Sequence, residues 1–172
     1  MLFPRNQLLA LPCIALAALL VACSPPPPVQ IGFIGGLTDR NSDNGQSGLN
    51  GVTLAIEQFN RDGGLDGHMV ELVVRDDAQN RETAAQSAKS LVDARVDAVI
   101  GPFTSGMAEV IVPITGKAGI FQVSPTITSM AFYGKDDNLF RINRTTRDNA
   151  QDYAKVMLGR GHRNVAVAYD LR

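Results

Sequence analysis

The sequence predicts an α/β chain built on a doubly wound parallel sheet, and three observations carry that reading. From residue 30 onward, short runs rich in Ile and Val alternate with segments of helical period. The helical segments keep their apolar residues on one stripe, as helices laid on a sheet do. The 45% apolar content supports a core, and about 150 residues follow the N-terminal apolar segment, the size of one ordinary domain.

The strands are expected at "VQIGFIGG", "MVELVVRDD", "VDAVIG", "GIFQVSP", "LFRIN" and "NVAVAYD". Between the first two, Leu49, Val52, Ile56 and Phe59 form one helical stripe that stops near Gly63-Gly64. Ala84, Ala88, Leu91 and Arg95 mark a second helix, with Asn80 as its candidate N-cap. Met107, Val110, Ile111, Ile114 and Ala118 mark a third. Ala150, Ala154, Met157 and Leu158 mark a fourth, with Thr145 and Asp148 spaced as a capping box. Right-handed crossovers then place helices on both faces of the sheet. Ligands of such a sheet sit beyond the carboxyl ends of its strands, so the loops after each strand are the ones to search.

The loop after the first strand, "GGLTDRNSDNGQSGLNG", tempts toward a nucleotide site. Its glycines give G-x-x-G-G, not G-x-G-x-x-G, and it is too long for a tight phosphate turn. The loop after the third strand, "GPFTSGMAEV", puts Thr104 and Ser105 at a helix start, where hydroxyls and free N–H groups accept anions. The loop after the fourth, "SPTITS", adds Thr126, Thr128 and Ser129 at the same sheet edge. Each loop alone reads as a helix cap or a hydroxyl-rich turn; together they could hold one carboxylate from two sides. Asp76-Asp77 lacks the third group that acid–base chemistry needs, and reads as a solvated face or a cap for the next helix. His68 and His162 read as loop residues, and no metal spacing, P-loop or G-x-S-x-G appears, so neither cofactor nor metal is expected. A net charge of -1 gives no basic field for nucleic acid.

The first residues, "MLFPRNQLLALPCIALAALLVAC", hold one basic residue, Arg5, and an apolar run from Leu8 to Ala22 broken by Pro12. This is the pattern of an export signal, and the run is short for a membrane-spanning helix. Leu20-Val21-Ala22-Cys23 resembles the lipobox of bacterial lipoproteins, which implies cleavage before Cys23 and a lipid on its thiol. Pro25 to Pro28 favour an extended spacer. The other cysteine, Cys13, falls inside the signal, so the mature chain is expected to carry no disulfide.

The order "IGFIGGLT", "NRDGGLDG" (Asn60 to Gly67), "VRDD", "IGPFTSG" and "SPTIT" resembles the periplasmic Leu/Ile/Val-binding protein group. These are type I periplasmic binding proteins, solute receptors of ABC importers. The resemblance runs from about residue 30 to the last residue. It implies that Ser105 and Thr128 bind the carboxylate of an amino acid or related small carboxylate. It also implies that the Thr126 carbonyl takes the ammonium group. An aromatic residue often stands in the first loop of that group; Asn44 stands near that place here and opens the site to a more polar ligand.

The signal pattern and lipobox mark off an expected signal (1–22) and a lipidated cysteine with a proline-rich linker (23–29), and the resemblance to the binding proteins implies a first ligand-binding lobe (30–145) and the incomplete start of a second lobe (146–172). The chain is accordingly expected to be a fragment, a truncated gene product or a partial record of a longer one. Its expected partners are a small-molecule ligand, an ABC permease and, through the lipid, a bacterial membrane facing the periplasm or exterior. It is expected not to be an enzyme. A ligand-sensing domain of the same fold and an inactive remnant are the rival readings.

Overall fold

The computed structural model describes residues 26–38, 42–166 and 168. Cys23 and the expected signal lie outside the described residues. Five parallel strands form one sheet in the order β2-β1-β3-β4-β5. They are β1 (Val29–Gly35), β2 (Val70–Asp76), β3 (Ala98–Ile100), β4 (Phe121–Ser124) and β5 (Leu139–Arg141). The helices are α1 (Asp43–Arg61), α2 (Arg81–Asp93), α3 (Ser105–Lys117) and α4 (Thr146–Gly159), with one 3₁₀ turn at Met130–Phe132.

Strand alternation divides the sheet into two unlike faces. On one face, Ile34 and Val99 pack with Ala84, Ala88 and Leu91 of α2 and with Met107 and Ile111 of α3. Leu139 joins a second cluster on the same side, with Ala108, Val112 and Ile127. Buried polar groups complete this face. Gln122 is buried on β4; it accepts from Thr115 Oγ1 (2.6 Å) and donates to the Gly101 carbonyl (3.0 Å). Residues one step along each strand point the other way, toward α1. There Phe33 meets Phe103 at 5.2 Å between ring centroids, and Phe121 meets Phe140 at 4.9 Å.

The expected caps form. Asn80 Oδ1 accepts from the N–H groups of Glu82 and Thr83 (2.9 and 3.0 Å). Thr145 and Asp148 close a capping box at the start of α4. The Asn60 to Gly67 motif turns out to be a fastener: the Asn60 amide donates to the Val70 carbonyl and accepts from the Val70 N–H, at 2.8 and 2.7 Å. Gly64 follows at φ 72°, where a Cβ would lie 2.2 Å from the His68 carbonyl oxygen.

Three expectations are corrected. Arg95 is not on the α2 stripe: the helix ends at Asp93, and Arg95 adopts φ 56° to turn the chain into β3. Asp77 is fully buried, and its Oδ1 accepts from the Gln79 backbone N–H (2.8 Å), so it braces its own loop rather than facing solvent or capping α2. The expected sixth strand at "NVAVAYD" does not form at Asn164 to Ala166, which pair with no other strand; the rest of that stretch is described only at Ala168, again outside any strand.

Candidate functional site

The sheet order reverses at β1, which places a topological switch point between β1 and β3. The chain leaves β1 toward one neighbour and later passes β1 to start the other, so the loops beyond β1 and β3 diverge and open a crevice. A cleft of about 620 Å³ lies there, between the N-terminal half of α1 and the ends of β3 and β4. Val52, Ile100, Phe103, Val123 and Ile142 form its apolar walls, and Asn44, Ser47 and Thr126 reach it from the rim.

Phe103 forms the back of this cleft and depends on two glycines. A Cβ on Gly48 would stand 2.3 Å from its ring, and a Cβ on Gly35 2.9 Å from it. The missing side chains let the α1 backbone close onto the aromatic face.

Polar tethers lash the loops along this edge. Asp76 accepts from the Leu37 N–H (2.8 Å), the Thr38 hydroxyl (2.5 Å) and the Ala78 N–H (2.8 Å). Burial pushes its carboxyl up, but these donors outweigh burial and hold it below the usual carboxylate range. Thr104 Oγ1 donates to Gln79 Oε1 (2.9 Å), linking the loops after β2 and β3. Ser124 Oγ donates to the Pro102 carbonyl (2.7 Å) and Thr126 Oγ1 to the Phe103 carbonyl (2.6 Å), linking the loops after β3 and β4.

These tethers sort the sequence-predicted residues. Asn44 and Thr126 line the cleft; Ser105, Thr104 and Thr128 are not among its lining residues. The hydroxyl protons of Thr104 and Thr126 are engaged in the bonds just described. The Thr126 carbonyl accepts a long bond from the Asn143 amide (3.4 Å). Ser105 and Thr128 are half-buried, and their hydroxyls make no hydrogen bond to the described residues. The Thr128 carbonyl, by contrast, is held by the Thr146 N–H (2.8 Å), which ties α4 to the edge. At the start of α3, the N-cap Thr104 is extended and offers no side-chain cap, so the first N–H groups of that helix receive none. Among the described residues, no group of three or more His, Cys, Asp or Glu side chains gathers as a metal ion requires.

Sequence reasoning missed Phe103, Gly48 and Ile142. Their signal was weak because each acquires its role only when α1, β3 and the residue after β5 come together in space.

Comparison with known proteins agrees with this architecture. The Leu/Ile/Val-binding protein BraC3 of Rhizobium johnstonii is 32% identical over 101 residues, covering 59% of this chain and 28% of that protein. The branched-chain amino acid transporter substrate binding protein LivJ of Streptococcus pneumoniae, solved in complex with isoleucine, superposes with a TM-score of 0.66 at 31% identity. The match covers 69% of this chain and 34% of that one. An ABC transporter substrate-binding protein of Desulfitobacterium hafniense, in complex with Leu, gives a TM-score of 0.70 at 25% identity, covering 79% and 40%. The chain therefore spans about a third of the length of the curated relatives it matches. Residues 28–171 match the periplasmic binding protein family model, and the chain belongs to that family.

Proposed function

We propose that this chain is the first lobe of an extracytoplasmic solute receptor of an ABC importer, binding an amino acid of branched-chain type or a related small carboxylate. One observation carries the reading: at the carboxyl edge of a sheet of this family, the hydroxyls of Ser105 and Thr128 and the uncapped start of α3 stand without partners among the described residues. Charge-assisted hydrogen bonds from such groups suit a carboxylate. The apolar walls of the adjoining cleft suit the body of the ligand.

Ser105 and Thr128 would take the carboxylate. Thr104 would act by holding its loop against Gln79, and the Thr126 carbonyl would take an ammonium group by displacing its long contact with Asn143. Asn44 would face the ligand's side chain. A second lobe, joined after about residue 145, would close over the ligand. Cys23 would anchor the protein by a lipid to a bacterial membrane facing the periplasm or exterior, beside its permease.

A thermal-shift screen of amino acids and small carboxylates on a two-lobed, full-length protein tests this. Binding to the native state alone adds about 2.7 kcal/mol of stability at a hundredfold excess over Kd. A panel that includes leucine, isoleucine and valine should contain at least one compound that raises the melting temperature saturably. A panel without any such compound contradicts the proposal.

A further inference from the structure

Resting on the receptor reading above, we propose that the ligand has an apolar body ending in a hydrogen-bonding group, and that Asn44 and Ser47 read that end. The cleft walls are apolar, but the first turn of α1 is not. Asn44 and Ser47 are three residues apart, hence on one face of the helix, and both line the cleft. Neither side chain makes a hydrogen bond to the described residues, and both are exposed. The third polar side chain of the rim, Thr126, has already given its proton to the Phe103 carbonyl.

An open cleft leaves the Asn44 amide and the Ser47 hydroxyl in water at no cost. A ligand that covers them removes that water. An all-aliphatic side chain replaces it with nothing, and an amide holds two donors and an acceptor oxygen that would then go unpaired. A hydroxyl or amide on the ligand restores those bonds. A site with placed polar groups therefore rejects the analogue lacking the matching group far more strongly than an apolar pocket distinguishes sizes.

The wall also has room for an extended body. Gly48 and Gly51 occupy the cleft side of α1 directly after Ser47, and a Cβ at Gly51 would meet nothing within 4 Å. The cleft is thus left open at Gly51, one turn beyond the place where Gly48 closes onto Phe103. An apolar chain or ring in the cleft would meet Phe103 and Val123, in the same cleft that Asn44 and Ser47 line.

Matched pairs of near-equal shape test this by calorimetry on the full-length protein: tyrosine against phenylalanine, and glutamine against methionine. In at least one pair the polar-tipped member should bind about tenfold or more tightly than its apolar partner. Asn44→Leu should erase that preference while leaving the melting temperature of the unliganded protein unchanged, since the residue is exposed. Phenylalanine and methionine binding as tightly as their partners overturns the inference, as does failure of all four to bind at millimolar concentration. A preference that survives Asn44→Leu overturns the role of Asn44. Saturable binding of leucine or valine alongside any of these failures leaves the receptor reading standing; no binding of any amino acid or carboxylate removes both.

Discussion

The two faces of the sheet are built from the same strands and have opposite characters. Under α2 and α3, Leu91, Val99 and Ile111 are all at 0% exposure. On the α1 face, Phe140 is 58% exposed and Ile142 75%. The α1 helix itself buries only Gly45, and Leu54 is 54% exposed. The difference teaches where the molecule keeps its stability and where it keeps its binding surface. Hydrophobic stabilisation scales with area removed from water, so the α2/α3 face holds the lobe together. The α1 face keeps a cleft open beside the switch point.

Mutations on the two faces should therefore separate in size. The largest effect is expected at Leu91→Ala. Its side chain sits between the α2 backbone and Gly32, with methyl groups 3.1–3.2 Å from where a Cβ at Gly32 would be. A cavity there should cost about 3 kcal/mol in urea denaturation. A loss as small as that of a surface substitution would erase the contrast between the faces.

Gly48→Ala comes next. Alanine favours a helix interior over glycine by about 0.5–1 kcal/mol, but its methyl would lie 2.3 Å from the Phe103 ring. That ring is 6% exposed and packed against Phe33, which resists its displacement into the cleft. Overpacking costs about 1–3 kcal/mol, so a net loss near 1 kcal/mol is expected from thermal melts, with a smaller cleft. A gain in stability would mean that Phe103 is free to move.

Asp76→Asn sharpens the comparison through pH. The native carboxyl is held below its unfolded value, so its contribution is complete above the unfolded pKa of about 3.9. It is lost as pH falls through the lower, folded pKa. The stability gap between the wild type and Asp76→Asn should be constant above about pH 5 and should close with acidification below about pH 4. A gap that widens in acid would contradict the tether. The smallest effect is expected at Ile142→Ser, within about 0.5 kcal/mol of the wild type. A larger loss would show that the α1 face carries core packing after all.

How far the sequence reached follows the same division. The alternation of strands and helices, the Asn80 cap and the Thr145–Asp148 box were legible because each is a local pattern with a local cause. The "GIFQVSP" strand shows where pattern stops. Its polar residues, Gln122 and Ser124, are the buried ones, and its Phe121 is 46% exposed. Register made that choice, through Thr115 on α3 and the carbonyls of Gly101 and Pro102, and nothing within the strand itself announces it. The same holds for the site. Ser105, Thr126 and Thr128 stand out as hydroxyls after strands, and Asn44 by resemblance. Phe103 gains its role from Gly35 and from Gly48, the latter 55 positions earlier on a different element.

Calorimetric titration of the full-length protein carrying Ser105→Ala and Thr128→Ala, with the tightest-binding carboxylate from the screen, addresses the central claim most directly. Each substitution removes a hydrogen bond to a charged group, worth about 1.5–3 kcal/mol. Affinity should fall by about a hundredfold or more, while the unliganded protein melts at nearly the wild-type temperature because neither hydroxyl holds the fold together. Unchanged affinity in the double variant would contradict the assignment of the carboxylate site to the carboxyl edge of β3 and β4.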